Sequence, residues 1–100
     1  MRRAARKDDN QDAIIEALEA IGCTVEKLHA VGNGCPDILI GIKGFNLMAE
    51  IKDGDKVPSQ QKLRPLQEKW HGEWKGQAAV VKSPAEAIQL VCRAIQELKT

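Results

Sequence analysis

Two acids and a lysine stand at a spacing that could do chemistry: Asp37, directly after Pro36, then Glu50 and Lys52, all within "GCPDILIGIKGFNLMAEIKDG" (34–54). Charged groups seldom enter apolar strand segments unless something there pairs with them. Two carboxylates and a backbone carbonyl brought to one point make an oxygen-rich site for a hard divalent cation. Such a cation can hold a phosphate oxygen and activate water. A lysine beside it can orient that water or neutralise charge developing on the phosphate. The plainer reading is a Glu50–Lys52 ion pair on an exposed strand, a common and weak interaction. That reading leaves the Pro-Asp unexplained.

For these residues to meet, the chain must form a hairpin. "DILIGI" (37–42) reads as a central strand, "KGFN" as the turn and "LMAEIK" (47–52) as the returning strand. With the turn centred near residue 44, Asp37 faces about residue 51. Side chains alternate along a strand, so Glu50 and Lys52 share one face. Leu47, Ala49 and Ile51 take the other, which suits burial. Upstream, Asp9 or Asn10 caps a helix over "QDAIIEALEAI" that stops at Gly22, and "TVEKLHA" (24–30) is a strand. Downstream, Ser59 caps a helix over "QQKLRPLQEKWHGEW" (60–74), in which Pro65 marks either a kink or the true start. "GQAAVVK" (76–82) is a fourth strand. In "SPAEAIQLVCRAIQELK" (83–99), Ser83 is a cap, Pro84 takes the first helical position and Glu86 the third. The apolar Ala87, Ile88, Val91, Ile95 and Leu98 keep a helical period there. The order αβββαβα predicts an α/β fold with a central mixed sheet flanked by helices.

A chain of 100 residues, 43% of them hydrophobic, suits one folded domain with one modest core. The expected division is a basic, flexible N-terminus over 1–8, carrying Arg2, Arg3, Arg6 and Lys7, and a single domain over 9–100. Fifteen basic and 14 acidic residues leave a net charge of +1, so any binding of nucleic acid must use a local patch. Cys23, Cys35 and Cys92 are too few and too scattered for a disulfide framework and fit a reducing compartment. No apolar run is long enough to span a membrane, and "DDNQD" follows the basic start where a signal peptide would be apolar. The expectation is a cytoplasmic, soluble protein. His29 and His71 with the cysteines lack zinc-ligand spacing. No phosphate-binding glycine loop or nucleophile elbow is present.

The PD…EIK pattern, in this element order, resembles the signature of the PD-(D/E)XK nuclease superfamily. "GNGCPDILIG", "AEIKDG" and the following "VPSQQKLRPLQEKWHGEW" resemble its virus-type replication-repair nuclease branch, the VRR-NUC domain, in its stand-alone phage-type form. The similarity runs from about Asn10 to Ile88. It implies a restriction-endonuclease-like αβββαβ core and a Mg²⁺- or Mn²⁺-dependent deoxyribonuclease. It also implies a homodimer that acts on branched DNA, as a Holliday junction resolvase does, in a bacterial or phage-infected cytoplasm. Asp37 and Glu50 would bind the cation, with the Ile51 carbonyl as a third oxygen, and Lys52 would position the water or stabilise the transition state.

The family also places an acid on its first helix. Here Gln11 shares a stripe with Ile14, Ile15 and Leu18, whereas Glu16 points nearly the opposite way. Asp9 and Asn10 could reach the site from the cap instead. Gln61 resembles the family's glutamine on the next helix, with Gln60 as the fallback. Ser59, at a helix N-terminus, could hold a phosphate. Lys56 and Lys62 are candidate DNA contacts, with Lys43, Arg64, Lys69 and Lys75 near them. Trp70 and Trp74, four apart, read as a packing or dimer face, or as a platform for bases. The last helix is another candidate dimer surface. The alternative function is a non-cleaving module of the same fold that binds branched DNA or a protein partner, motivated by the missing helix-one acid.

Overall fold

The computed structural model describes residues 10–98. The expectations that rest on the basic segment and on Asp9 lie outside the described residues. The elements are α1 (Gln11–Ala20), β1 (Thr24–Lys27), β2 (Ile38–Ile42), β3 (Phe45–Ile51), α2 (Pro58–Gln61), α3 (Pro65–Glu73), β4 (Ala78–Val81) and α4 (Pro84–Leu98). The four strands form one sheet in the order β1-β2-β3-β4. The first three run antiparallel and β4 pairs parallel to β3, so the sheet is mixed, as the pattern predicts.

One face of the sheet is apolar. Ile14, Ile15 and Leu18 of α1 and Ala87 and Val91 of α4 join Ile38, Ile40, Ala49, Ile51 and Val81 in a single buried cluster. Strand alternation sends Asp37, Glu50 and Lys52 to the opposite face. The α4 start follows its sequence signal: Ser83 Oγ accepts from the Glu86 N–H at 3.1 Å, and Glu86 Oε1 accepts from the Lys82 N–H at 2.9 Å.

Three local expectations are corrected. The hairpin turn is the two-residue Lys43–Gly44, both left-handed at φ 51° and 77°. That is the geometry whose twist matches the flanking strands. Ile42 pairs with Phe45 and Ile38 with Ala49, so one step further Asp37 stands across from Glu50, not Ile51. Second, the helix expected over 60–74 is two helices. Arg64 is extended, with ψ 163°, because the residue before a proline avoids the helical region, and Pro65 opens α3 at its first position. The single-turn α2 has Val57 as its cap, and Ser59 lies inside it. Third, β1 ends at Lys27, so His29 is exposed in the turn beyond it rather than on a strand.

Candidate active site

The open end of the β2–β3 hairpin gathers the charges. The Asp37 carbonyl accepts from the Leu28 N–H at 2.7 Å, which ties it to the end of β1. Its side-chain Oδ2 accepts from the Ile51 N–H, also at 2.7 Å, so the carboxylate crosses to the end of β3. Continuing the register by two residues sets Ile51 across from Pro36. Proline has no N–H, so β2 offers the Ile51 carbonyl no donor there. The Pro-Asp pair thus supplies a carboxylate and leaves a neighbouring carbonyl unclaimed by that strand.

Glu50 and Lys52 are buried, at 2% and 6% exposure, and one side chain holds both. Gln67 donates from Nε2 to Glu50 Oε2 at 3.0 Å, while its Oε1 accepts from Lys52 Nζ at 3.0 Å. The same Oε1 accepts from the Arg64 N–H at 2.8 Å, as a glutamine in the third helical position does when it reaches back to the cap. An amide has its donors and its acceptor on different atoms, so Gln67 sorts a carboxylate from an ammonium and fixes each. Gly34 packs under the Leu66 carbonyl, where a Cβ would collide, and this seats the Pro-Asp loop against α3. Burial, and then the negative charge of Glu50 and Asp37, push the Cys35 thiol above its ordinary pKa. Asp37 and Glu50 stand opposite each other in the continued register, so both carboxylates belong to this one end of the hairpin.

The start of α1 arrives from the other side. Asn10 Nδ2 donates to the Lys52 and Lys82 carbonyls at 3.2 and 3.0 Å, pinning the helix to the ends of β3 and β4. Asn10 is the α1 cap residue, but its side chain makes these crosslinks instead of a cap bond. Gln11 follows, 1% exposed, with neither amide atom hydrogen-bonded. Glu16 is exposed.

The other expected site residues sit elsewhere. Gln61 donates to the Gly54 and Lys56 carbonyls at 3.2 and 2.6 Å, bracing the loop after β3. Gln67, not Gln61, is the glutamine that bridges Glu50 and Lys52. Its signal was in the sequence: Pro65 at the first position of a helix puts Gln67 at the third. Gln60, Ser59, Lys56 and Lys62 are exposed around α2. Lys43 lies in the turn at the far end of the hairpin, roughly 20 Å from Asp37 at strand rise.

The donor set suits a hard cation. Among the described residues no group of three or more His, Cys, Asp or Glu is placed to hold a metal ion. Mg²⁺ does not need such a cage: it is commonly held by one or two carboxylates with waters and substrate phosphate. Asp37, Glu50 and the Ile51 carbonyl supply oxygens only, and the two carboxylates concentrate negative charge at one place.

No protein-family model and no curated protein matches the chain. Among solved structures, a VRR_NUC domain matches at a TM-score of 0.61 and 28% identity, covering 81% of this chain and 88% of that one. The chain carries the VRR-NUC fold. Its mixed sheet and flanking helices form a restriction-endonuclease-like core. The domain it is similar to belongs to a nuclease family. The VRR-NUC resemblance carried by Asp37, Glu50 and Lys52 in the sequence is thus matched by the fold that positions them. Among the described residues no helix is long and apolar enough to cross a membrane.

Proposed function

We propose that this VRR-NUC chain is a metal-dependent DNA endonuclease selective for branched DNA, such as a Holliday junction. The observation that carries the reading is the Gln67 amide, which holds buried Glu50 and Lys52 together beside Asp37. A Mg²⁺ or Mn²⁺ ion on Asp37, Glu50 and the Ile51 carbonyl would polarise the scissile phosphate and lower the pKa of a water. The chain's own residues supply the rest. Lys52 Nζ, aimed by Gln67, neutralises charge on the phosphate or orients the attacking water. Gln67 also keeps Glu50 facing the same point. Gln11 offers both a donor and an acceptor from α1, and it is neutral where the family has an acid. Gln61 acts from the rim by bracing the loop after β3, and Ser59, Lys56 and Lys62 are candidate backbone contacts for DNA.

A homodimer fits this reading, because one small domain covers little DNA and symmetric cutting of a junction needs two sites. Residues 9–100 would form the nuclease domain, with the basic 1–8 as an added DNA contact, in a cytoplasmic setting. The test is cleavage of a labelled four-way junction, a 5′ flap and plain duplex in Mg²⁺, Mn²⁺ and EDTA. Metal-dependent cutting is expected, and it should fall at least about a hundredfold in Asp37→Ala and in Lys52→Ala. Tight, salt-sensitive binding without cutting in either metal would make the chain a binding module instead.

A further inference from the structure

Trp70 and Trp74 stack on each other, with ring centroids 4.7 Å apart and planes 15° from parallel. They share a helical face with Gln67, at i, i+3 and i+7. Trp70 is half-buried, and His71 meets its edge at 5.3 Å. Trp74 is 45% exposed although its ring covers Trp70. Its position is built rather than loose. A Cβ at Gly76 would lie 2.8 Å from Trp74 Nε1, so the glycine makes room for the indole. No residue of α3 is buried, so this pair is not spent on the core.

We propose that the exposed indole of Trp74 is a stacking platform for one unpaired nucleobase beside the cleavage site. The proposal rests on the nuclease reading and adds how a branch is recognised. Three observations favour a base as the occupant. The pair continues the face that Gln67 presents to Glu50 and Lys52, and Trp74 lies about 10 Å along the helix from that glutamine. Ten ångströms is about three nucleotide steps of B-DNA, so the base belongs to the nucleotides flanking the cut. In sequence, Trp74 stands among the exposed polar residues Glu73, Lys75 and Gln77, with Leu66 the exposed apolar residue of α3, and so short an apolar surface suits one flat ligand better than a broad interface between copies. Arg64, Lys69 and Lys75 bring positive charge to the same segment, although Lys69 is also paired with Glu73 at 2.9 Å. In intact duplex every base is already stacked, so only a flap, a junction or another opened site can offer one.

The chain has two tryptophans and no tyrosine, so its intrinsic fluorescence reports on this pair alone. The experiment titrates the full chain, in Ca²⁺ in place of Mg²⁺ or Mn²⁺, with a 5′ flap, a four-way junction and plain duplex. Affinity is followed separately by anisotropy of labelled DNA, and mass by sedimentation. The expected result is quenching by flap and junction but not by duplex. Trp74→Ala should bind the branched forms about tenfold more weakly, Trp74→Phe should restore most of that, and Gly76→Ala should fall between. Circular dichroism checks that each variant is folded. Branched-DNA binding without quenching, or unchanged in Trp74→Ala, overturns the platform and leaves the nuclease reading standing. A dimer that becomes a monomer in Trp74→Ala assigns the face to a second copy and also overturns it. No binding of any DNA by the wild type removes both readings.

Discussion

The two faces of the sheet are made by different physics. Against α1 and α4, Ile14, Leu18, Ile38, Ile51 and Val91 are buried for their surface, and Asn10 pins only the start of the helix that covers them. Against α3, the buried residues are Glu50 and Lys52, and the Gln67 amide bonds both. The first face tolerates changes of shape better than loss of volume. The second tolerates neither partner being removed, because a buried charge is then left without its hydrogen bond. The apolar face secures the fold, and the polar face depends on orientation.

Substitutions should separate these roles. The largest loss of stability is expected from Leu18→Ala, where truncating a fully buried side chain costs about 3 kcal/mol. Denaturant unfolding would read this, and the molecules still folded should cut DNA at the wild-type rate. If their rate collapses too, the two faces are not separate. Gln67→Ala should cost less stability, about 2 kcal/mol, by the loss of its bonds to two charged groups. Its cleavage rate should fall at least tenfold, whereas Gln61→Ala, which touches only loop carbonyls, should stay within about twofold. Equal losses in the two glutamine variants would remove Gln67 from its special place. The smallest effect concerns His71. Burial lowers its pKa below the ordinary 6.5, so the unfolded chain binds the proton more readily. Its contribution is present above pH 6.5 and is lost as pH falls through and below that value. Unfolding midpoints at pH 7.5 and 5.5 should therefore differ slightly more in wild type than in His71→Gln.

The apolar face was legible in the sequence because periodicity records it directly. Ile14, Ile15 and Leu18 repeat at helical spacing, and Leu47, Ala49 and Ile51 alternate. Gln11 was placed on the buried side, and Glu16 on the exposed one, by the same arithmetic. The charged pattern of Asp37, Glu50 and Lys52 was legible because such residues are rare in strands. The register was missed by one residue, since a Lys43–Gly44 turn depends on lysine entering the left-handed region, which composition does not announce. The glutamine was harder. Gln60, Gln61 and Gln67 are all near the strand in sequence, and only the extended break at Lys62–Arg64 turns the last of them toward it. Reading Pro65 firmly as a helix start would have selected Gln67. The Gly34–Leu66 contact had no signal, because a close approach between a loop and the start of a helix leaves no period.

The parallel pairing of β4 with β3 has a consequence in time. Parallel neighbours need a crossover, and here α2 and α3 are that crossover, so Gln67 sits inside the connection that delivers the last strand. The Asp37–Glu50 hairpin is local and can form early, whereas crossover pairing joins distant parts of the chain and comes slowly. A chain that folds in that order holds its carboxylates before it holds the amide that aligns them. Closing the sheet and arming the site are then one event, and a half-folded copy has the charges without the geometry.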